Sequence, residues 1–237
     1  MIKSKVLICV IASLSFTGCA GLGEMANTGV GISQAVGYSP KQLNEGVKEA
    51  LSLSVSRASD TLGTAGGYSN NPSFKIPLPQ NVQNMSKTLR QFGLGSYIDN
   101  IEMLVNKGAE QAAQEAKPVL LNAVKAMSIT DAIGIVKGGN TAATDYFKGQ
   151  TEQKLRQQYQ GIMQNQLKSL GFYGEYQQLL NAYKLVPMAN KPDLDIENQA
   201  INLGINALFS QIAVEEQKIR ANPIEQGSAL LGMVFGR

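Results

Sequence analysis

The chain has 237 residues, 43% hydrophobic and 16% charged, which is globular rather than disordered composition with ample length for a core. The formal net charge is +3 and no Lys/Arg cluster of the kind that tracks phosphates occurs, so nucleic acid is not an expected partner. There is no histidine, which removes Ser-His-Asp and Cys-His nucleophile systems and the usual zinc sites; no calcium-loop spacing is present either, and no metal or other cofactor is expected.

The chain opens MIKSK, runs apolar from Val6 to Phe16, and then reads Thr17, Gly18, Cys19. A basic start, a short apolar run and small residues before a cut describe a secretory signal. The run is too short to span a bilayer as a helix, which needs about 20 residues. Thr-Gly-Cys resembles the lipobox of bacterial lipoproteins, with Phe16 standing where that family prefers Leu. The resemblance implies a cleaved signal peptide over residues 1–18 and acylation at Cys19. Ala20, rather than Asp, follows the cysteine, which in such proteins implies the periplasmic face of the outer membrane. An ordinary cleaved signal with an incidental cysteine is the alternative. Cleavage would remove Lys3, Lys5 and Cys9, leaving a chain near neutrality with Cys19 as its remaining cysteine, so no intramolecular disulfide is expected. Three acyl chains would make release from the membrane negligible. Residues 19–38 are expected to be the lipidated cysteine and a glycine-rich tether, with a reach of about 20–25 Å as a coil. Its later half, with Val30, Ile32 and Val36, could instead dock on the domain of residues 39–237.

From Ser39 onward the pattern is helical. Ser39 and Pro40 form a cap and first-turn proline, followed by an amphipathic stripe of Leu43, Val47, Leu51, Val55, Ala58 and Leu62. Gly66 and Gly67 stop it. The stretch GGYSNNPSFKIPLPQ excludes helix, because Pro72, Pro77 and Pro79 lack amide hydrogens and restrain their predecessors. Phe74, Ile76 and Leu78 alternate with Lys75 and Pro77, the two-residue period of an extended chain with one apolar face. A strap lying apolar face down across the helices is expected, with a lid over an apolar groove as the sharper alternative. Pro79 then opens a helix carrying Val82, Met85, Leu89 and Phe92, closed by Gly93. Ser96 is expected to cap the next, whose Gly108, Ala109, Ala112 and Ala116 would admit a close neighbour, with a kink or restart at Pro118.

Ser128 or Thr130 is expected to start a short helix ending at Gly138 and Gly139, and Thr141 to cap another. KGGNTAATDYF invites comparison with a phosphate loop but lacks the Gly-Lys-Ser/Thr ending and a preceding strand. Its helix-start amides could hold a small anion; a glycine stop followed by a threonine cap is the plainer reading. Further helices are expected from about Thr151 to Gly171 and around Tyr176 to Tyr183, ended by Pro187. Asp193 or Asp195 would cap the longest, running to about Ala221, and Pro223 would open a final short helix. In the long helix Ile196, Ala200, Leu203, Ala207 and Val214 share one face, and Ile201, Ile205, Leu208, Phe209, Ile212 and Ile219 the opposite one, as in a helix sandwiched in a core. Glu216 falls among the second set, with Arg220 one turn on. A lone buried carboxylate is costly, so a Glu216–Arg220 pair or a protonated Glu216 is expected, as a core ion pair or as a functional buried acid. The fold class is therefore all-α, a single domain of eight to ten helices with one extended proline-containing strap.

The strings GGYSNNPSFKIPLP, GAEQAAQEAKPVLLNAVKAMSITDAIGIVKGGNTAATDYF and ALFSQIAVEEQKIRANP, with a terminal VFG, resemble the bacterial family catalogued as domain of unknown function 4197. The resemblance runs from about Ser39 to Gly236 and implies a helical envelope protein. This chain has Asn106–Lys107 where members often have Asn-Arg, and Glu225 where they often have a basic residue. No catalytic residue is implied. The reading is an outer-membrane-anchored, non-enzymatic module that binds a hydrophobic ligand or envelope partner through a groove near the strap. A structural or assembly protein without a small ligand is the alternative, followed by a histidine-free hydrolase using Glu216 or Asp145.

Overall fold

The computed structural model describes residues 37–185 and 195–236. The signal segment, Cys19, the tether up to residue 36, and Pro187 and Asp193 lie outside the described residues. Nine helices and no strands occur among those described: α1 (Pro40–Gly63), α2 (Gln80–Gln91), α3 (Gly95–Ala126), α4 (Ala132–Lys137), α5 (Ala142–Ser169), α6 (Phe172–Leu185), α7 (Ile196–Ala221), α8 (Pro223–Gln226) and α9 (Ala229–Phe235). The protein is an all-α single domain. Four long helices form a ring in which α1 packs on α3 and α7, and both of these pack on α5. The short helices close its ends: α6 lies on α3 and α5, α4 on α1 and α5, and α9 on α1 and α8.

Helix α1 begins with a reciprocal cap: Gln42 N donates to Ser39 Oγ at 3.2 Å, and Ser39 N donates to Gln42 Oε1 at 3.0 Å. Its stripe from Leu43 to Leu62 is buried throughout. Several boundaries differ from the pattern reading. Helix α3 starts at Gly95 without a side-chain cap and passes through Pro118 as one element of 32 residues, longer than α7 with 26. Asp131, not Ser128 or Thr130, caps α4 by accepting from Gly134 N at 2.7 Å. The segments expected on either side of Thr151 are one helix, α5. Phe92 falls just past α2 and is exposed. On α7 the face with Ile201, Ile205, Leu208, Phe209, Ile212 and Ile219 is buried, while Leu203 and Val214 on the other face reach solvent. Helix α7 is therefore sandwiched along only part of its length.

Between α1 and α2 the chain passes through hydrogen-bonded turns over residues 65–74, Phe74 N donating to Asn71 O at 3.1 Å, and is extended only over residues 75–79. The expected extended strap is thus shorter than the alternation suggests, with Ile76 and Leu78 buried, Phe74 half-buried in the last turn, and Lys75 and Pro77 exposed. An extended backbone in a helical core must find partners for its amides and carbonyls. Helix α3 supplies them from every fourth residue. Gln114 Nε2 donates to Gly63 O at 2.6 Å. Glu110 Oε1 accepts from Gly66 N, Tyr68 N, Ser69 N and Ser69 Oγ at 3.0–3.3 Å. Asn106 pairs both backbone groups of Ile76 at 2.9 Å, and Glu102 binds Lys75 at 2.5 Å. Helix α7 holds the other side: Tyr68 Oη donates to Gly204 O at 2.9 Å and Gln199 Nε2 to Pro77 O at 2.8 Å. Gly66, with φ 88°, lets the chain turn towards Glu110. Gly204 must lack a side chain, since a Cβ there would collide with the Tyr159 hydroxyl.

Asn106→Ala would leave the buried amide and carbonyl of Ile76 unpaired. At about 1–3 kcal/mol for each of the two groups, a loss of about 2–6 kcal/mol is expected, read as a lower urea midpoint, together with faster proteolysis between Gly66 and Pro79.

Two phenols meet beneath the strap. Burial pushes the Tyr68 hydroxyl well above its ordinary range, and the neighbouring Tyr159 and Glu110 add to the rise. Burial likewise raises Tyr159, against a smaller lowering from the neighbouring Tyr68 hydroxyl. A folded-state value above that of the unfolded chain means a stabilising contribution intact below about pH 10, the unfolded tyrosine value, and lost as pH rises towards the folded values. Urea midpoints are expected to be insensitive to these groups between neutrality and pH 10 and to fall steeply above it. Tyr159→Phe should flatten the fall at little cost in neutral stability.

Candidate functional site

Helix α4 ends at Lys137 and α5 begins at Ala142, so unpaired carbonyls of one helix lie close to unpaired amides of the next. Thr141 stands at the N-cap position but makes no capping bond; its hydroxyl donates to Asp145 Oδ2 at 2.8 Å instead. The cap comes from α7. Glu216 is fully buried, and its Oε1 accepts from Ala143 N at 3.0 Å. Its Oε2 accepts from Thr144 N at 2.7 Å and Thr144 Oγ1 at 2.6 Å. The anion at this helix start is thus a carboxylate of the protein itself, in the position where a helix N-terminus favours negative charge.

Arg220 completes the arrangement. Its Nε donates to Glu216 Oε1 at 2.7 Å, Nη1 to Val136 O at 3.1 Å and Nη2 to Ile135 O at 2.9 Å. The guanidinium caps the last carbonyls of α4, where positive charge is favoured, and lies 4.6 Å from the ring centroid of Phe235 on α9. Its side chain is 8% exposed. The Glu216–Arg220 pair is therefore a junction for α4, α5, α7 and α9, with the carboxylate closed off and one edge of the guanidinium left at a surface.

That surface is a groove of about 820 Å³. Its walls are the end of α4, the last turn of α7, helices α8 and α9, and Tyr38 at the start of the described chain. Val136, Ile224, Met233, Val234 and Phe235 give it an apolar lining; Lys137, Asn140, Gln217, Arg220 and Glu225 provide its polar groups. Ile224 is 71% exposed and Met233 42%. No strap residue lines it: Phe74, Ile76 and Leu78 sit near the start of α7, about 30 Å along that helix from Arg220. The expected groove near the strap is thus displaced to the opposite end, because the strap's apolar side chains fill the space beneath them. Among the described residues no group of three or more Cys, Asp or Glu side chains could hold a metal ion.

Glu216 and Arg220 were marked by their spacing on an apolar helix face. Glu110 and Asn106, which hold the strap, were not; their signal is a polar series at Glu102, Asn106, Glu110 and Gln114 among alanines. Apart from Arg220, the groove residues carry no sequence signal, since they belong to four separate segments of the chain. The family described as "Protein of unknown function (DUF4197)" matches the chain over residues 37–236. No curated protein and no solved structure matches it.

Removing the Glu216 carboxylate would leave a buried guanidinium and two helix-start amides without their acceptor. Glu216→Ala is expected to cost about 3–5 kcal/mol, as for other broken buried pairs, measured by urea denaturation. Lys137→Gln on the exposed groove wall should leave the midpoint unchanged.

Proposed function

We propose that this chain, which belongs to the DUF4197 family of proteins of unknown function, is a membrane-tethered, non-enzymatic module whose groove between α4, α7, α8 and α9 holds a hydrophobic ligand. The observation that carries this reading is the groove itself. About 820 Å³ lies within the range of small-molecule sites, about 300–1,000 Å³. Two of its apolar residues, Ile224 and Met233, stay exposed within the same groove, so an apolar ligand there would take them out of water. The acids that a histidine-free hydrolase would use are already engaged. Glu216 is enclosed by four donors, and Asp145 accepts from Thr141. That favours binding over catalysis.

The tethering half of the proposal rests on the sequence, with Cys19 following a basic and then apolar segment. Among the described residues no helix is long and apolar enough to cross a membrane. Acylation at Cys19 would place the module on the periplasmic face of the outer membrane.

Cells fed radiolabelled palmitate should yield labelled protein in the outer-membrane fraction, and Cys19→Ser should lose the label and no longer reach that fraction. Unlabelled wild-type protein in the soluble fraction would overturn the tether. Solvent extraction and mass spectrometry of the purified chain should recover a bound apolar compound that is lost from an Ile224→Asp, Met233→Asp variant. Recovery of a single envelope protein by crosslinking, with no extractable compound, would replace the ligand with an assembly role.

A further inference from the structure

The groove carries charge as well as apolar surface, and the charge is placed at one end. Arg220 has five N–H donors, and three are taken by Glu216, Val136 and Ile135. Each terminal nitrogen makes one bond, so each keeps one N–H without a described acceptor. The side chain is held rigidly by those bonds and by the Phe235 ring, and it is more than nine-tenths buried while lining the groove. Lys137 adjoins the carbonyls that Arg220 caps. Its ammonium is exposed and makes no ion pair or hydrogen bond among the described residues. Asn140 adds an amide on the same wall. The one acid in the lining, Glu225, lies on α8 beside the apolar Ile224. Glu216, which balances Arg220, is not part of the lining.

We propose that the groove takes a single-chain amphiphile with an anionic head, the head oxygens bound by Lys137 and the spare N–H groups of Arg220 and the hydrocarbon chain laid over Ile224, Met233 and Val234. This rests on the binding reading above and names its ligand class. A pre-positioned guanidinium beside a free ammonium favours carboxylate or phosphate oxygens over a neutral or cationic head. The hydrocarbon chain covers the apolar surface that the fold leaves open. The source of such a ligand is the membrane. Residues 20–37 are all that separates Cys19 from Tyr38 in the groove wall, so an acylated Cys19 would keep the groove close to the lipid leaflet.

The test uses the chain without the signal segment of residues 1–18 and with Cys19→Ser, so that neither the apolar run nor an acyl chain competes for the groove, and displacement of a fluorescent fatty acid. Palmitate and lysophosphatidic acid should both compete, and their ranking tells carboxylate from phosphate. Hexadecanol, with the same hydrocarbon and no charge, should compete about tenfold more weakly or worse, as expected for loss of a charge-assisted hydrogen bond. Lys137→Gln should weaken palmitate by a similar factor and leave hexadecanol unchanged, and Glu225→Gln should strengthen palmitate. Equal competition by palmitate and hexadecanol would overturn the anionic head while leaving the apolar groove standing. Palmitate binding unaffected by Ile224→Asp and Met233→Asp would overturn the groove as the site, and no binding of either amphiphile would overturn both. Ile224 and Met233 are exposed enough for these variants to fold, which identical urea midpoints would verify.

Discussion

The fold depends on one buried ion pair that terminates two helices at once. Glu216 and Arg220 lie on α7, yet their partners are the first amides of α5 and the last carbonyls of α4. Charges of this sort are expensive to bury, and a bare pair in a core often contributes little net stability. Here each charge also faces the helix end of opposite polarity, and the carboxylate has four donors. The local sequence cannot do the same job, because the Thr141 hydroxyl is turned to Asp145. Glycines at 138 and 139 end α4, so the chain must reverse between two helix ends that would otherwise be unsatisfied. The pair makes that reversal compatible with a dry interior. Through Phe235 it also fixes where α9 lies, and hence the width of the groove.

The strap solves a second version of the same problem. Pro72, Pro77 and Pro79 prevent helix, so the segment brings unpaired backbone into contact with helices that have none to offer. Polar side chains along α3 pair that backbone at Gly63 from Gln114, at Gly66, Tyr68 and Ser69 from Glu110, and at Ile76 from Asn106, while Glu102 adds an ion pair with the Lys75 side chain. Since α3 advances as the strap recedes in number, the two run in opposite directions. Tyr68 and Gln199 tie the same segment to α7. With bonds on both sides and Ile76 and Leu78 inserted below, the strap is a packed part of the core rather than a lid. Its three bulky apolar groups are accounted for without a ligand.

What could be read from the sequence follows from this. The α1 stripe and its Ser39 cap are local, periodic signals that match an element with the corresponding face buried, and the alternation holds for Ile76 and Leu78, whereas Phe74 lies in the turn before them and is half-buried. Glu216 and Arg220 were conspicuous because a charge on an apolar helix face needs a partner one turn away. Their further partners at Ala143, Thr144, Ile135 and Val136 were not legible, since a backbone group looks the same at every residue. Pro118 was misleading for a related reason: it removes one hydrogen bond from α3, but the packing of α3 on α1 and α5 outweighs that loss. Val214 and Leu203 were counted as core on periodicity alone, which cannot tell whether a neighbouring helix extends far enough to cover them.

The groove was invisible to the same reasoning because it is made by where helices stop. Pro223 follows Asn222 and ends the run of α7, α8 lasts one turn, and α9 resumes after Gly227 and Ser228 with its own cap, Leu231 N donating to Ser228 Oγ at 3.2 Å. Helix α9 then turns Leu231, Val234 and Phe235 inward, Val234 against Gly46 of α1 and Phe235 under Arg220 of α7, while Met233 stays exposed. Ile224 packs over Gly232 and is otherwise in solvent. Beyond the contact of Ile224 with Gly232, the core would not need apolar residues at 224 and 233, both of which are exposed. Apolar residues at these positions, beside a guanidinium that is fixed but not fully bonded, are what the proposed ligand would cover, and they separate the molecule into a closed end under the strap and an open end at the groove.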